Sequence, residues 1–263
     1  MNKRYLITGG AGFIGSHLCR ALIARGDRII ILDSLESGHM NNISDLIPDN
    51  RVEFIEDTIL NESRVLSLCH DVDGIFHLAA LVSVQRSIDD PRLNHMVNVD
   101  GVFNILDSAR RCNVHKIVFA SSAALYGNSY SPPHKESFPA DPLSPYAVGK
   151  YSSEVYSSVY ARLYGMETVC LRFFNVYGPN QDPSSPYSGV ISKFIESLSH
   201  ETQLTIFGDG EQTRDFVYVL DVVQALLLSM DKKVHGVFNV GTGVSSSINQ
   251  LAKNIIRITD FGP

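Results

Sequence analysis

No stretch of this chain is apolar for long enough to span a bilayer, which takes about 20 consecutive apolar residues. Met1-Asn2-Lys3-Arg4-Tyr5-Leu6-Ile7 carries two basic residues, but the apolar run behind them breaks into glycines at once and makes no secretory signal. Only four cysteines occur, Cys19, Cys69, Cys112 and Cys170, with no CxxC pair and no metal-like spacing to histidine. No metal site is therefore expected. Thiols set in or beside apolar stretches read as buried and free, in a reducing cytoplasm. Positive charge is in deficit as well: Lys and Arg number 22 against 28 Asp and Glu, a formal net charge of −6. That argues against a nucleic-acid partner, although local dipoles and a few arginines can still hold an anionic small ligand. Repeats and low-complexity segments are lacking. What remains is 44% hydrophobic and 19% charged over 263 residues, enough for a full α/β core with a smaller second lobe.

The first half alternates strand and helix patterns. Tyr5-Leu6-Ile7-Thr8 is a short apolar strand, followed by Gly9-Gly10-Ala11-Gly12-Phe13-Ile14-Gly15 and a helical pattern through Arg25. Glycines at 9, 12 and 15 allow a tight turn, close backbone approach to a pyrophosphate and close helix–strand packing, with a helix N-terminus facing the phosphates. The spacing is GxxGxxG, where the commonest fingerprint is GxGxxG. A second strand, Arg28 to Leu32, ends in Asp33, about twenty residues on, where a carboxylate can bind adenosine ribose hydroxyls and repel a 2′-phosphate. NAD is thus favoured over NADP; the plainer reading of Asp33 is a strand-end turn residue. Strands at Val52–Ile55, Gly74–Leu78 and Lys116–Ala120, with a long helical pattern from about Arg92 to Cys112, predict right-handed crossovers and a doubly wound parallel sheet. Ligands in such sheets sit beyond the carboxyl ends of the strands, which gathers Asp57, Thr58, Leu78, Ala79, Ala80, Ser121 and Ser122 around one crevice.

Ser144-Pro145-Tyr146-Ala147-Val148-Gly149-Lys150 follows a proline-rich loop and reads as an N-cap, an N1 proline and the first turns of a helix. Tyr146 and Lys150 lie one turn apart, roughly 6 Å from each other. A free tyrosine, with a pKa of about 10, is a poor base at neutral pH, and a nearby ammonium favours the phenolate. Ser122, at the end of the fifth strand, converges on the same sheet edge, where its hydroxyl can bond a substrate oxygen while Tyr146 takes the proton. Each feature has an ordinary reading by itself: a surface Tyr–Lys pair, a strand-end cap.

Together with the order and spacing of TGGAGFIGSHL, ILDSLESG, HLAALVSV, NVDG, SSAALYG, SPYAVGK, LRFFNVYGP and GDGEQTRDFVYV, these features identify the chain as a member of the extended short-chain dehydrogenase/reductases, in the NAD-dependent epimerase/dehydratase family. Within that family it resembles the UDP-glucose (UDP-galactose) 4-epimerases. The resemblance implies a Rossmann domain over 1–175, with 209–240 returning to it, and a substrate lobe from 176–208 and 241–263. It implies cofactor contacts at Gly9, Gly12, Phe13, Ile14, Gly15, Asp33, Ser34, Ser37, Gly38, Asp57, Thr58, Leu78, Ala79, Ala80, Asn98, Ser121, Tyr146, Lys150 and Phe174, and catalysis by Tyr146, Lys150 and Ser122. Substrate contacts carry over to Ser83, Ser122, Asn175, Val190, Phe194, Phe207 and Arg214. Two of these have rival readings from the residues alone: Phe207 as a core side chain in a strand, and Arg214 in a salt bridge with Asp215 or Asp221.

The family's dehydratases carry Thr-Asp-Glu where this chain has Ser122-Ala123-Ala124, and two alanines supply neither the acid nor the base that elimination needs. The expected activity is therefore NAD-dependent 4-epimerisation of a UDP-hexose through a transient 4-keto sugar. Which sugar it is, among glucose, N-acetylglucosamine, glucuronate and pentose forms, is left open by the residues. The alternatives are a nucleotide-sugar reductase or dehydrogenase of the same fold, or a non-catalytic NAD-binding protein, because family members run on past the point where this chain stops, and that tail closes over the UDP. The resemblance also implies a homodimer through a four-helix contact, which the helices at about 93–112 and 145–163 could supply, although their outer faces, with Arg110, Arg111, Tyr156 and Tyr160, are equally compatible with a monomer.

Overall fold

The computed structural model describes residues 2–182 and 189–259; part of the Pro/Ser-rich run at 179–188 and the end of the expected lobe, 260–263, lie outside them. The chain begins with β1 (Arg4–Thr8), α1 (Phe13–Ala24), β2 (Arg28–Asp33), β3 (Val52–Glu56), α2 (Glu62–Leu68) and β4 (Gly74–His77). It continues through α3 (Val84–Asp89), α4 (Pro91–His95), α5 (Gly101–Arg111), β5 (Lys116–Ser122), α6 (Pro145–Tyr164) and β6 (Glu167–Phe173). The remainder is β7 (Asn175–Tyr177), α7 (Val190–Ser199), β8 (Thr213–Arg214), β9 (Phe216–Tyr218), α8 (Val219–Asp231), β10 (Gly236–Val240), β11 (Ser246–Ser247) and α9 (Ile248–Thr259).

Seven strands form one sheet in the order β10-β6-β5-β4-β1-β2-β3, every neighbouring pair parallel. This is the doubly wound Rossmann arrangement. Strand order reverses at β1 and β4, so the loops after them diverge and open a crevice. Alternating side chains feed two cores. Tyr5, Ile7, Ile29, Ile31 and Phe76 pack against Leu18 and Leu22 of α1 and Leu226 of α8. Leu6, Ile30, Leu32, Ile75 and Phe119 pack on the other face against Val65 of α2, Ile105 of α5 and Tyr160 of α6. The near-continuous apolar runs of these strands follow from burial on both faces.

A third cluster joins Phe194 and Leu198 of α7 to Ile248, Ala252 and Ile255 of α9, with Leu204, Ile206 and Phe216 packed against it. The short pairs β7–β9 (parallel) and β8–β11 (antiparallel) connect this part to the main sheet. The Ser247 hydroxyl accepts from Gln250 N at 3.1 Å at the start of α9, as its Ser-x-x-Gln pattern predicts.

Three local expectations are corrected. The helical pattern at 92–112 is not one α-helix: α4 and α5 flank a π-helical turn, Met96–Asp100, that widens the helix where it passes α6. Leu204–Phe207 forms no strand, and Phe207 is 82% exposed, so the core reading of that residue fails. Tyr160 does not belong to an outer face; it is 6% exposed and sits in the core beneath α6.

Candidate functional site

A crevice of about 1270 Å³ runs along the carboxyl ends of the central strands and reaches the β7, β8 and α7 region. That exceeds the volume of an ordinary small-ligand pocket, about 300–1,000 Å³, so it has room for a dinucleotide and a second ligand. Its floor is the turn after β1. Gly9 has φ of +72°, and a Cβ added there would lie 2.7 Å from Ala79 N. A Cβ on Gly15 would lie 2.1 Å from Gly9 O, so helix α1 packs against the turn at a separation that only glycine allows. This is the cradle a pyrophosphate requires, with the N-terminus of α1 beside it. Below it His77 Nδ1 meets Thr8 Oγ1 at 2.8 Å, and that hydroxyl accepts from Ala79 N at 3.2 Å. Burial, with Lys150 adding to it, pushes the His77 pKa down to about 3, so the imidazole is a neutral support for the wall.

Asp33 ends β2 at the rim. Its carboxylate accepts from Ala11 N and Leu35 N, both at 2.9 Å, and so ties the glycine turn to the loop after β2. Burial raises its pKa while those two bonds oppose the rise. Ser34, Ser37 and Gly38 line the same rim, and Phe13, Ile14, Gly12 and Gly15 the opposite edge. Asp57 and Thr58 follow β3. Asp57 accepts from Thr58 N, Asn61 and Arg64, and these contacts, led by the Thr58 bond, hold its carboxyl below the usual range. Leu78, Ala79, Ala80 and Ser83 form the wall after β4, with Ser83 capping α3 through Arg86 N at 2.9 Å. Arg86 then pairs across the crevice with Glu36 from the loop after β2. Nothing local to either residue in the sequence signals this ion pair, because it joins the loops that follow β2 and β4, 50 residues apart in the chain.

The chemistry sits further along. Ser144 Oγ accepts from Ala147 N at 3.2 Å and Pro145 opens α6, so Tyr146 and Lys150 face the crevice together. Lys150 Nζ lies 5.9 Å from the centre of the Tyr146 ring and donates to Ala120 O at 2.7 Å. Ser122 ends β5 beside them, its Oγ accepting from Ala124 N at 3.1 Å. The expected electrostatics are corrected by burial. Desolvation raises the Tyr146 pKa, and only a hydrogen bond from Ser122 opposes it. Desolvation also pulls Lys150 down to about 8. Burial thus favours the neutral form of both groups, and Lys150 alone does not offset it for Tyr146.

Phe174, Asn175, Val190 and Arg214 also line the crevice, as does Ser121. Arg214 forms neither expected salt bridge; its guanidinium donates to Thr213 O, while Asp215 accepts from Thr242 and Gly243. Three expected contacts are not brought there. Asn98 is 2% exposed, and its amide holds Leu81 N, Leu81 O and Asn94 Oδ1. Phe194 is in the α7–α9 core, and Phe207 is exposed and outside the crevice lining. Conversely, His134 lines the crevice unforeseen, stacked on Tyr126 at 4.7 Å.

Among the described residues no cluster of His, Cys, Asp or Glu is arranged to hold a metal ion, and no helix is long and apolar enough to cross a membrane. The glycine cradle, the bridging Asp33 and the lysine-bearing helix suit a nicotinamide dinucleotide.

Comparison with known proteins agrees. UDP-glucose 4-epimerase of Mycolicibacterium smegmatis is 41% identical over 251 residues, covering 94% of this chain and 80% of that protein. UDP-N-acetyl-alpha-D-glucosaminuronate decarboxylase of Bacillus cytotoxicus is 37% identical over 268 residues, covering 98% and 81%. The solved structure of UDP-N-acetylglucosamine 4-epimerase from Methanobrevibacter ruminantium, in complex with UDP-N-acetylmuramic acid, superposes with a TM-score of 0.95 at 39% identity, covering 98% of this chain and 83% of that one. Residues 5–241 match the model of the NAD dependent epimerase/dehydratase family. The chain belongs to that family, and its cofactor is NAD.

Proposed function

We propose that the protein is a 4-epimerase of a UDP-hexose, of the UDP-glucose/UDP-galactose type or its N-acetylated form. The observation that carries this reading is the meeting of Tyr146, Lys150 and Ser122 at one end of a crevice whose other end is a dinucleotide cradle. NAD, when bound, supplies a hydride acceptor that returns what it takes from the sugar. Ser122 hydrogen-bonds the sugar's O4, and Tyr146 Oη, which the positive nicotinamide of bound NAD together with Lys150 would favour as the phenolate, removes the O4 proton and later gives one back. Lys150, fixed by Ala120 O, orients the nicotinamide ribose and keeps a positive charge beside the phenol. Its pKa of about 8 leaves it mostly charged at neutral pH.

The neighbouring wall is Ala123 and Ala124, which offer no acid or base for dehydration. Asn175 and Arg214, which line the same crevice, suit a diphosphate, with Arg214 free of any carboxylate partner among the described residues. We assign the substrate side to 176–208 and 241–263. The reaction suits the cytoplasm, since all four thiols are unpaired. A homodimer is part of this reading. Val148, Tyr151, Val155, Val159 and Leu163 of α6, with Phe103 of α5, are 39–67% exposed on one continuous apolar face, which a second copy would cover.

The test is Tyr146→Phe. The variant should retain copurified NAD and lose UDP-galactose/UDP-glucose interconversion by about 10²–10⁴-fold. Full turnover in that variant would remove Tyr146 as the proton carrier. Turnover that depends on added NAD(P)H would instead favour a net reductase.

A further inference from the structure

Helix α6 carries a third functional rung. Tyr146, Lys150 and Glu154 are spaced four apart, so all three face the carboxyl end of β5. There Tyr146 and Ser122 line the same crevice, Lys150 Nζ donates to Ala120 O at 2.7 Å, and Glu154 Oε1 accepts from Ser121 Oγ at 2.6 Å. Two consecutive strand residues, Ala120 and Ser121, are thus tied to successive turns of the helix that carries Tyr146.

Glu154 does not act alone. Arg172, paired in register with Ser121 on the adjacent strand β6, donates to Glu154 from Nε at 2.9 Å and from Nη2 at 2.7 Å. Both side chains are 5% exposed. Burial works against the Arg172 charge, but the bonds and the charge of Glu154 outweigh it and raise its pKa. The guanidinium also lies 4.8 Å from the centre of the Tyr126 ring and donates to Glu136 O at 3.5 Å. Tyr126 in turn stacks on His134, at the crevice wall, and donates to Asn239 on β10 at 2.6 Å. Glu154–Arg172 is thus the point at which α6, β5, β6 and the loop bearing His134 are fixed to one another.

A buried ion pair of this kind is weak support for stability, since well-packed apolar residues can do as well or better. Its planar, two-pronged geometry is suited to fixing angle and register. We propose that Glu154 and Arg172 are positioning residues for the reaction, setting the rotation of α6 against β5 so that Tyr146 Oη and the Ser122 hydroxyl reach the same substrate oxygen. The proposal rests on the reading of Tyr146 and Ser122 given above. A displacement of about 1 Å at reacting groups can cost 10²-fold in rate, so the pair needs to shift α6 only slightly to matter.

A control is built into the same two strands. Lys116 of β5 and Glu167 of β6 form an ion pair at 3.1 Å at their other end, with Lys116 Nζ also bonded to Lys232 O and Val234 O. Lys116→Met should lower the melting temperature without touching the crevice.

The experiment compares Arg172→Lys, Glu154→Gln and Ser121→Ala with Lys116→Met in the NAD-loaded protein, well below each melting temperature. Arg172→Lys keeps the charge and loses the fork; Ser121→Ala cuts only the strand's tie and leaves no buried charge unpaired, should Glu154→Gln fail to fold. The expected result is a kcat lowered about tenfold or more in Arg172→Lys, with KM and NAD content within twofold of wild type, a smaller fall in Ser121→Ala, and wild-type kcat in Lys116→Met. Ultraviolet difference titration against Tyr146→Phe gives a second readout that needs no turnover. Loosening α6 should admit water and lower the Tyr146 titration midpoint in Arg172→Lys and not in Lys116→Met. A midpoint that moves while wild type turns over no UDP-sugar would sustain the positioning role and sink the proposed substrate. Wild-type kcat and midpoint in Arg172→Lys, or equal kcat losses in Arg172→Lys and Lys116→Met, would overturn the positioning role.

Discussion

Lys150 Nζ lies 5.9 Å from the Tyr146 ring centre, yet its hydrogen bond goes to Ala120 O, and among the described residues no carboxylate pairs with it. Burial lowers its pKa from 10.5 to about 8. Between those two values the unfolded chain binds the proton and the folded chain does not, so stability rises with pH across that window. Below pH 8 the full cost of the buried charge is present. Lys150→Met should therefore stabilise the cofactor-free protein at pH 7 by about 0.5–2 kcal/mol, remove this rise above pH 8, and abolish turnover. Denaturant unfolding at several pH values measures it; a destabilised variant at pH 7 would show that the ammonium is better solvated than its burial implies.

The glycine turn predicts a sharp size limit. A methyl on Gly15 would meet Gly9 O at 2.1 Å and Gly10 Cα at 2.7 Å, both backbone atoms that cannot swing aside. Gly15→Ala should cost about 1–3 kcal/mol and empty the protein of NAD, because relief requires α1 to move off the cradle. The absorbance of nucleotide released on denaturation gives the NAD content.

Asp33 binds the turn and its own loop through separate oxygens. Asparagine preserves only one acceptor oxygen and removes the charge. Asp33→Asn should weaken NAD binding about tenfold and narrow the preference for NAD over NADP, since less repulsion would meet a 2′-phosphate. Calorimetry with both cofactors checks the ratio; an unchanged ratio would place discrimination elsewhere, with Glu36 the next acid on that rim.

On the outer face of α6, Leu163 is 67% exposed and Val155 46%. Val155→Lys together with Leu163→Lys should leave folding within about 0.5 kcal/mol and convert a dimer to a monomer, read by light scattering at several concentrations. A wild type that is monomeric at every concentration would refute the proposed contact.

Much of this site was legible in order along the chain. Turn glycines, strand-end acids and an N-capped helix with Tyr and Lys one turn apart are local signals, and local geometry enforces each of them. The misses share a different cause. Asn98 lies within a recognisable motif, but its amide partners are Leu81 and Asn94, and only the π-turn of the helix directs it toward them. Phe194 and Phe207 are equally apolar, and one is buried between α7 and α9 while the other projects outward, a distinction set by how that part of the chain packs.

The sequence by itself determined the alternation of elements, the parallel sheet and the glycine cradle, because hydrophobic periodicity and backbone sterics act over a few residues. The tertiary structure alone decided the raised pKa of Tyr146, the depressed pKa of Lys150, the Glu36–Arg86 bridge and the Glu154–Arg172 clamp. Each of those depends on how much water is excluded and on which distant side chains share the space. Desolvation and ion pairing are properties of the assembled sheet and helices, and spacing along the chain carries no measure of either.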